Sequence, residues 1–215
     1  MLPIGDDDSG RRTVPLVTYA LIILNVLFFL VELNGGDAFI MKWAFVPSRF
    51  LANPAGDFQT IFTSMFMHAG WVHLGGNMLY LWIFGDNVED RFGHGKFIIF
   101  YLLCGVAATF AQLAFSTGSN VPNLGASGAI AGVLGAYILM FPQGSVRVLQ
   151  GQQIIQVPAL IVIGLWIVLQ LFSGIGSIAG AADSGVAYMA HVGGFAAGFV
   201  LTFLFRGNSS PQLTG

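Results

Sequence analysis

Charge is what this chain has least of. Only 8% of its 215 residues are Asp, Glu, Lys or Arg, where a water-soluble domain carries about 25%. Such a chain cannot cover a water-facing surface with charge. The net charge of −2 comes with no basic patch, which argues against a nucleic-acid partner. Cysteine is nearly absent too. Cys104 stands alone, which excludes a disulfide framework and a Cys-based metal site. A lone thiol in an apolar segment is expected to be a buried packing residue. No metal and no cofactor are expected. Neither an internal repeat nor a second, soluble domain is visible.

What the chain has in quantity is apolar length. It is 55% hydrophobic, with a mean hydropathy of +0.78. A spanning helix needs about 20 largely apolar residues. Six runs approach that length: residues 15–33, 68–85, 96–115, 126–141, 157–174 and 187–205. The expected fold is an all-α polytopic membrane protein with six transmembrane helices. Residues 13–206 form the helical domain, between short tails at 1–12 and 207–215. The first run resembles a signal peptide, preceded by Arg11 and Arg12. It is too long, however, and no A-x-A cleavage site follows, so it reads as a retained anchor.

Lysine and arginine set the orientation. With a cytoplasmic N-terminus, the inner segments hold Arg11, Arg12, Arg91, Lys96, Arg147 and Arg206, and the outer ones hold Lys42 and Arg49. The positive-inside rule favours that arrangement. Both termini are then cytoplasmic, and a cell (plasma) membrane is the expected location. Residues 34–67 become one long outer connection. Their mixed character suits an element lying in the interface rather than a free loop.

Polar residues inside spans are costly and are functional candidates by default. In this orientation His73 and Asn77 of the second span, Ser127 of the fourth and His191 of the sixth share one depth near the outer leaflet. The fourth span is also short. Residues 127–141, at about 1.5 Å each, reach about 22 Å, against a hydrocarbon core of about 30 Å. The loop before it must therefore dip below the surface, which is tolerated only beside protein or a wet cavity. Ser127 then sits at a helix N-terminus, where free N–H groups favour developing negative charge.

A serine needs a base to become a nucleophile. Of His68, His73, His94 and His191, His94 lies on the inner side and His191 lies at the right depth. Ala187, His191, Gly194 and Gly198 share one helical face. Gly125, Gly128 and Gly132 surround or follow Ser127. Two small-residue faces let backbones approach closely, as a Ser–His hydrogen bond of about 2.6–3.2 Å requires. His73 and Asn77, at i and i+4, offer side-chain donors for an oxyanion. No Asp or Glu lies at that depth in the second, fourth or sixth span, so a Ser–His dyad is the economical reading. Taken singly, each feature has a plainer explanation. Glycines serve helix packing, Asn77 an interhelical hydrogen bond, and His191 a satisfied bundle position or a proton relay.

Together these motifs resemble the rhomboid family of intramembrane serine proteases. They are "HAGWVHLGGN", then "GDNVEDRFG" with Gly85, Glu89 and Gly93, then "GASG", then "AHVGG" with Gly194 and Gly198. The resemblance covers about residues 13–206. It implies a six-helix fold, a Ser127–His191 dyad, and oxyanion roles for His73 and Asn77. It gives His68 a structural or site-lining role, and Glu89 and Arg91 a polar network at the inner end of the second span. The implied substrates are single-span membrane proteins reached through the bilayer. The fifth span, with Trp166 and Phe172, and the loop 174–188 after it are implied as lateral gate and cap.

Two positions depart from the family's habit. Some relatives carry an aromatic residue one turn after the serine, stacked on the histidine. Here that position is Ala131, leaving Tyr188 or Tyr137 to orient His191, or a looser ring. Relatives often have Trp-Arg before the second span, and here the pair is Phe58-Gln59. Two other classes share parts of this pattern. A catalytically silent relative acting as a membrane-protein binding or chaperone factor would keep the fold, but such proteins usually lose the serine or the histidine. A small-solute transporter would more often show repeats or mid-membrane charges.

Overall fold

The computed structural model describes residues 2–7, 9–178 and 186–206. In chain order the elements are β1 (Leu2–Asp6), α1 (Leu16–Trp43), α2 (Pro47–Ala52), α3 (Pro54–Asp57), α4 (Thr60–Thr63), a 3-10 turn (Ser64–Phe66), α5 (Trp71–Phe92), α6 (His94–Phe115), α7 (Ser127–Met140), β2 (Ser145–Gln150), β3 (Gln153–Pro158), α8 (Ala159–Ile178) and α9 (Tyr188–Phe205). The tail 207–215 and residues 179–185 of the expected cap lie outside the described residues.

Lipid offers no partner to backbone N–H and C=O groups, so apolar runs close their hydrogen bonds internally as helices. α1, α6, α8 and α9 are long and apolar enough to cross a bilayer. The other two runs give α5, which is long but carries polar residues, and α7, which is apolar but has only 14 residues. The chain is thus a polytopic helical membrane protein. α7 runs through the middle: every residue from Gly128 to Tyr137 is buried.

Glycine decides how close α7 and α9 come. A Cβ on Gly194 would run into the carbonyl oxygen of Gly128, and one on Gly198 into that of Gly132. From the α7 side, a Cβ on Gly135 would meet the carbonyl of Phe195. The two backbones therefore touch along two turns. Buried Cys104 of α6 fills the space beside Gly132.

The helix ends opposite Ser127 are tied by carboxylates. Glu89, fully buried, accepts from the Val17 amide (2.8 Å) and from the Thr18 amide and hydroxyl (2.7 Å each). It thereby caps the start of α1, whose first N–H groups have no helical partner. Asp90 accepts from the Thr13 amide (2.7 Å) and hydroxyl (2.6 Å). Arg91 lies over the Phe141 ring.

One element has no counterpart in the sequence reading. β1, β2 and β3 form an antiparallel sheet in that order, pairing Leu2 with Leu149 and Val146 with Val157. Val146 and Val148 face the helical core. From β1, buried Asp6 accepts from Asn87 Nδ2 and from the Tyr137 hydroxyl, both at 2.7 Å. The first residues of the chain are thus fastened beneath α5 and α7.

The outer connection is a chain of short helices. α1 kinks at Gly36 (φ 59°), and α2, α3, α4 and the 3-10 turn follow. Arg49 pairs with Asp57 at 2.9 Å and donates to the carbonyls of Ala44 (2.6 Å) and Met41. Arg49 ties this segment together, while Phe58 is exposed and Gln59 bonds only locally, to the Gly56 carbonyl.

Gly198→Val should lower the thermal unfolding midpoint in detergent, since overpacking costs about 1–3 kcal/mol and here the obstacle is backbone. Gly164→Val on α8, where a Cβ meets nothing within 4 Å, should leave the midpoint near wild type.

Candidate active site

Ser127 opens α7. The first rung of the helix is the Ile130 amide on the Ala126 carbonyl, so the N–H groups of residues 127–129 lie ahead of the ladder and carry its positive end. The loop before it is held from the outer segment. The Gly125 amide donates to the Ser64 carbonyl at 2.9 Å, and Phe45 and Asn123 exchange backbone hydrogen bonds at 2.7 and 3.2 Å.

His191 lies one turn into α9. Its start is fixed from α6, where Gln112 Oε1 accepts the Ala190 amide at 3.2 Å. The glycine contacts then set the distance that matters: His191 Nε2 lies 2.8 Å from Ser127 Oγ. That is hydrogen-bond range for a nucleophile and its base. His191 is 9% exposed, and Ser127 is half-buried at the cavity.

His73 and Asn77 stand on one face of α5 toward the same spot. His73 Nδ1 accepts from the Ala69 amide at 3.3 Å, which leaves the ring proton on Nε2. A Cβ on Gly125 would lie 3.0 Å from that Nε2 and 3.5 Å from Ser127 Oγ. Both atoms therefore flank one small space, and Gly125, at φ +129°, keeps it open. Asn77 Nδ2 is buried and has no hydrogen-bond partner among the described residues. An unmet amide donor at such a point is costly unless a ligand atom takes it up. Ser127, His191, His73 and Asn77 all line a cavity of about 940 Å³.

His68 does not line that cavity. It is buried behind His73, the ring centroids 5.1 Å apart and the rings steeply inclined. Its amide donates to Glu32 Oε2 at 2.9 Å. His94 stands at the opposite end of the bundle, 2.5 Å from Glu89.

Of the two tyrosines expected to orient His191, Tyr137 is engaged with Asp6 at the other end of α7. The ring packed against the imidazole is Trp166 of α8, with centroids 5.6 Å apart at 39°. One turn further along α8, Gln170 Oε1 lies 2.6 Å from His191 Nδ1. Gln170 was overlooked, although a polar side chain inside an apolar span is the signal that singled out Asn77. Glu32, inside the first span, was overlooked for the same reason. Trp166 belongs to the cavity wall over His191, whereas Phe172 is 71% exposed.

Chemically, a hydroxyl beside an imidazole, with donors lining the same cavity, is able to support acyl transfer. Residues 55–208 match the family model described as Rhomboid domain. Rhomboid protease GluP of Bacillus subtilis is 37% identical over 128 residues, covering 58% of this chain and 24% of that protein. Rhomboid protein 1, mitochondrial, of Saccharomyces cerevisiae is 31% identical over 135 residues, covering 60% of this chain and 38% of that protein. Putative rhomboid protease YdcA of Bacillus subtilis is 27% identical over 194 residues, covering 90% of this chain and 89% of that protein. The chain thus aligns with well under half the length of GluP and of the yeast protein.

Gly125→Ala should strain a backbone that side chains avoid and press on His73, lowering stability by about 1–3 kcal/mol. Gly118→Ala, earlier in the same loop and with open space around it, should cost much less; thermal unfolding of the two variants checks this.

Proposed function

The chain belongs to the rhomboid family, and we propose that it is an intramembrane serine endopeptidase working by a Ser127–His191 dyad. The observation that carries this reading is the 2.8 Å approach of His191 Nε2 to Ser127 Oγ inside a cavity that also holds His73 and Asn77. The substrates are single-span membrane proteins, cut in or near the span. The six helices α1, α5, α6, α7, α8 and α9 each cross the bilayer. The bundle end with Arg11, Arg12, Arg91, Lys96, Arg147 and Arg206 faces the cytoplasm of a cell membrane, as the positive-inside rule favours.

Each group has a step. Oγ attacks the scissile carbonyl carbon while its proton passes to His191 Nε2. The carbonyl π-pair moves onto oxygen, where His73 Nε2–H, Asn77 Nδ2–H and the Ser127 amide receive the charge. The tetrahedral species collapses, the C–N bond breaks, and Nε2–H protonates the leaving amine. Water then repeats the attack on the acyl-enzyme, with His191 again as base and Ser127 regaining its proton. The helix N-terminus at Ser127 adds a fixed positive dipole at the same place.

Ser127→Ala should fold with an unchanged unfolding midpoint and lose both cleavage of a single-span substrate in liposomes and labelling by a serine-directed phosphonate. Undiminished cleavage would sink this chemistry. Asn77→Ala should lower kcat by up to about 10²–10³-fold with KM nearly constant. A change confined to KM would instead make Asn77 a substrate-binding residue.

A further inference from the structure

We infer that Gln170 of α8 is the positioning residue of the base, a neutral third member that fixes the tautomer of His191; this rests on the proposed dyad. To act as base, His191 must present a bare Nε2 to the serine hydroxyl, so its proton must sit on Nδ1. The group facing Nδ1 therefore decides whether the dyad works. That group is the side-chain carbonyl oxygen of Gln170, at 2.6 Å. Ala131 offers no ring to steady the imidazole from α7. Trp166, one turn before Gln170 on the same face of α8, packs against it instead. The imidazole is thus held at Nδ1 by an acceptor, on its face by an indole, and through its backbone by the α7–α9 contact.

An amide suits this place better than a carboxylate. A carboxylate among apolar helices carries a heavy desolvation cost. An amide oxygen gives the same directional acceptor without a charge. When Nε2 takes the serine proton, the Nδ1–H of the imidazolium points at the negative end of the amide dipole. Stabilisation then grows as the transition state forms, which raises kcat rather than substrate affinity. Trp166 and Gln170 both ride on α8, the least buried of the four long apolar helices. The base is consequently aligned only while α8 is seated against α7 and α9.

The test uses the full chain in liposomes, with Gln170→Leu, Gln170→Glu and Ser127→Ala beside wild type. Cleavage is followed across pH, with unfolding midpoints for each. Gln170→Leu removes the acceptor at similar volume. It should lower plateau kcat about ten-fold, as loss of one hydrogen bond implies, at constant KM. The acidic limb of its profile should move to lower pH, because the imidazolium has lost a partner. Gln170→Glu keeps an acceptor and adds charge, so it should recover much of kcat and move that limb to higher pH. Wild-type kcat and an unmoved limb in Gln170→Leu, with Ser127→Ala inactive, would overturn the role of Gln170 and leave the dyad standing. An equal fall in both Gln170 variants with unmoved limbs, tracking lower unfolding midpoints, would mark Gln170 as packing only and overturn it as well. Activity persisting in Ser127→Ala would remove the dyad itself.

Discussion

The backbone contact between α7 and α9 is the constraint on which the rest depends. Gly194 and Gly198 lie directly on the carbonyls of Gly128 and Gly132. No side chain stands between the two helices there, so the spacing is set by backbone atoms rather than by compressible rotamers. Ser127 and His191 each lie just outside this strip, at the outer end of their helices. A hydrogen bond between short side chains on separate helices tolerates little spread. Close-packed backbones supply that tolerance in a medium where hydrophobicity does not drive helices together. α6 supports the contact from behind, with Ala108 against Gly128 and Cys104 against Gly132.

Around this strip the polar groups are divided by depth. At the end opposite Ser127 they do structural work: Glu89 caps α1, Asp90 holds the chain before it, and Asp6 joins β1 to Asn87 and Tyr137. Each buried acceptor there has donors, as buried charges require. Toward the Ser127 end satisfaction is less complete: Asn77 Nδ2 beside the cavity, and Glu32 Oε1, Asp57 Oδ2 and both ring nitrogens of His68 away from it, have no hydrogen-bond partner among the described residues. The outer segment serves the same end, since its bonds to residues 123 and 125 fix where α7 begins.

α8 stands apart from this frame. It is the least buried of the long apolar helices, yet it carries Trp166 and Gln170, which meet His191. The start of the His191 helix is thus held by α6, while the ring is met by Ser127 of α7 and by Trp166 and Gln170 of α8.

Local pattern carried much of this protein. Apolar runs of spanning length, the small-residue face of Ala187, His191, Gly194 and Gly198, and the i, i+4 pair His73 and Asn77 are periodic features, so the helices and their faces could be read from the chain. The start of the fourth apolar run placed Ser127 at a helix entrance, where α7 begins. Pairings between distant residues have no such signature. The sheet joins residues 2–6 to 145–158, and its short strands carry no long periodic run. Gln170 lay in view as a polar residue in an apolar run. That it meets Nδ1 of His191 depends on how α8 is rotated and seated, which no local pattern encodes. The sequence determined which faces are small and which residues are costly to bury. The tertiary structure decided which of those residues meet, because a hydrogen bond is fixed by the last few tenths of an ångström of packing.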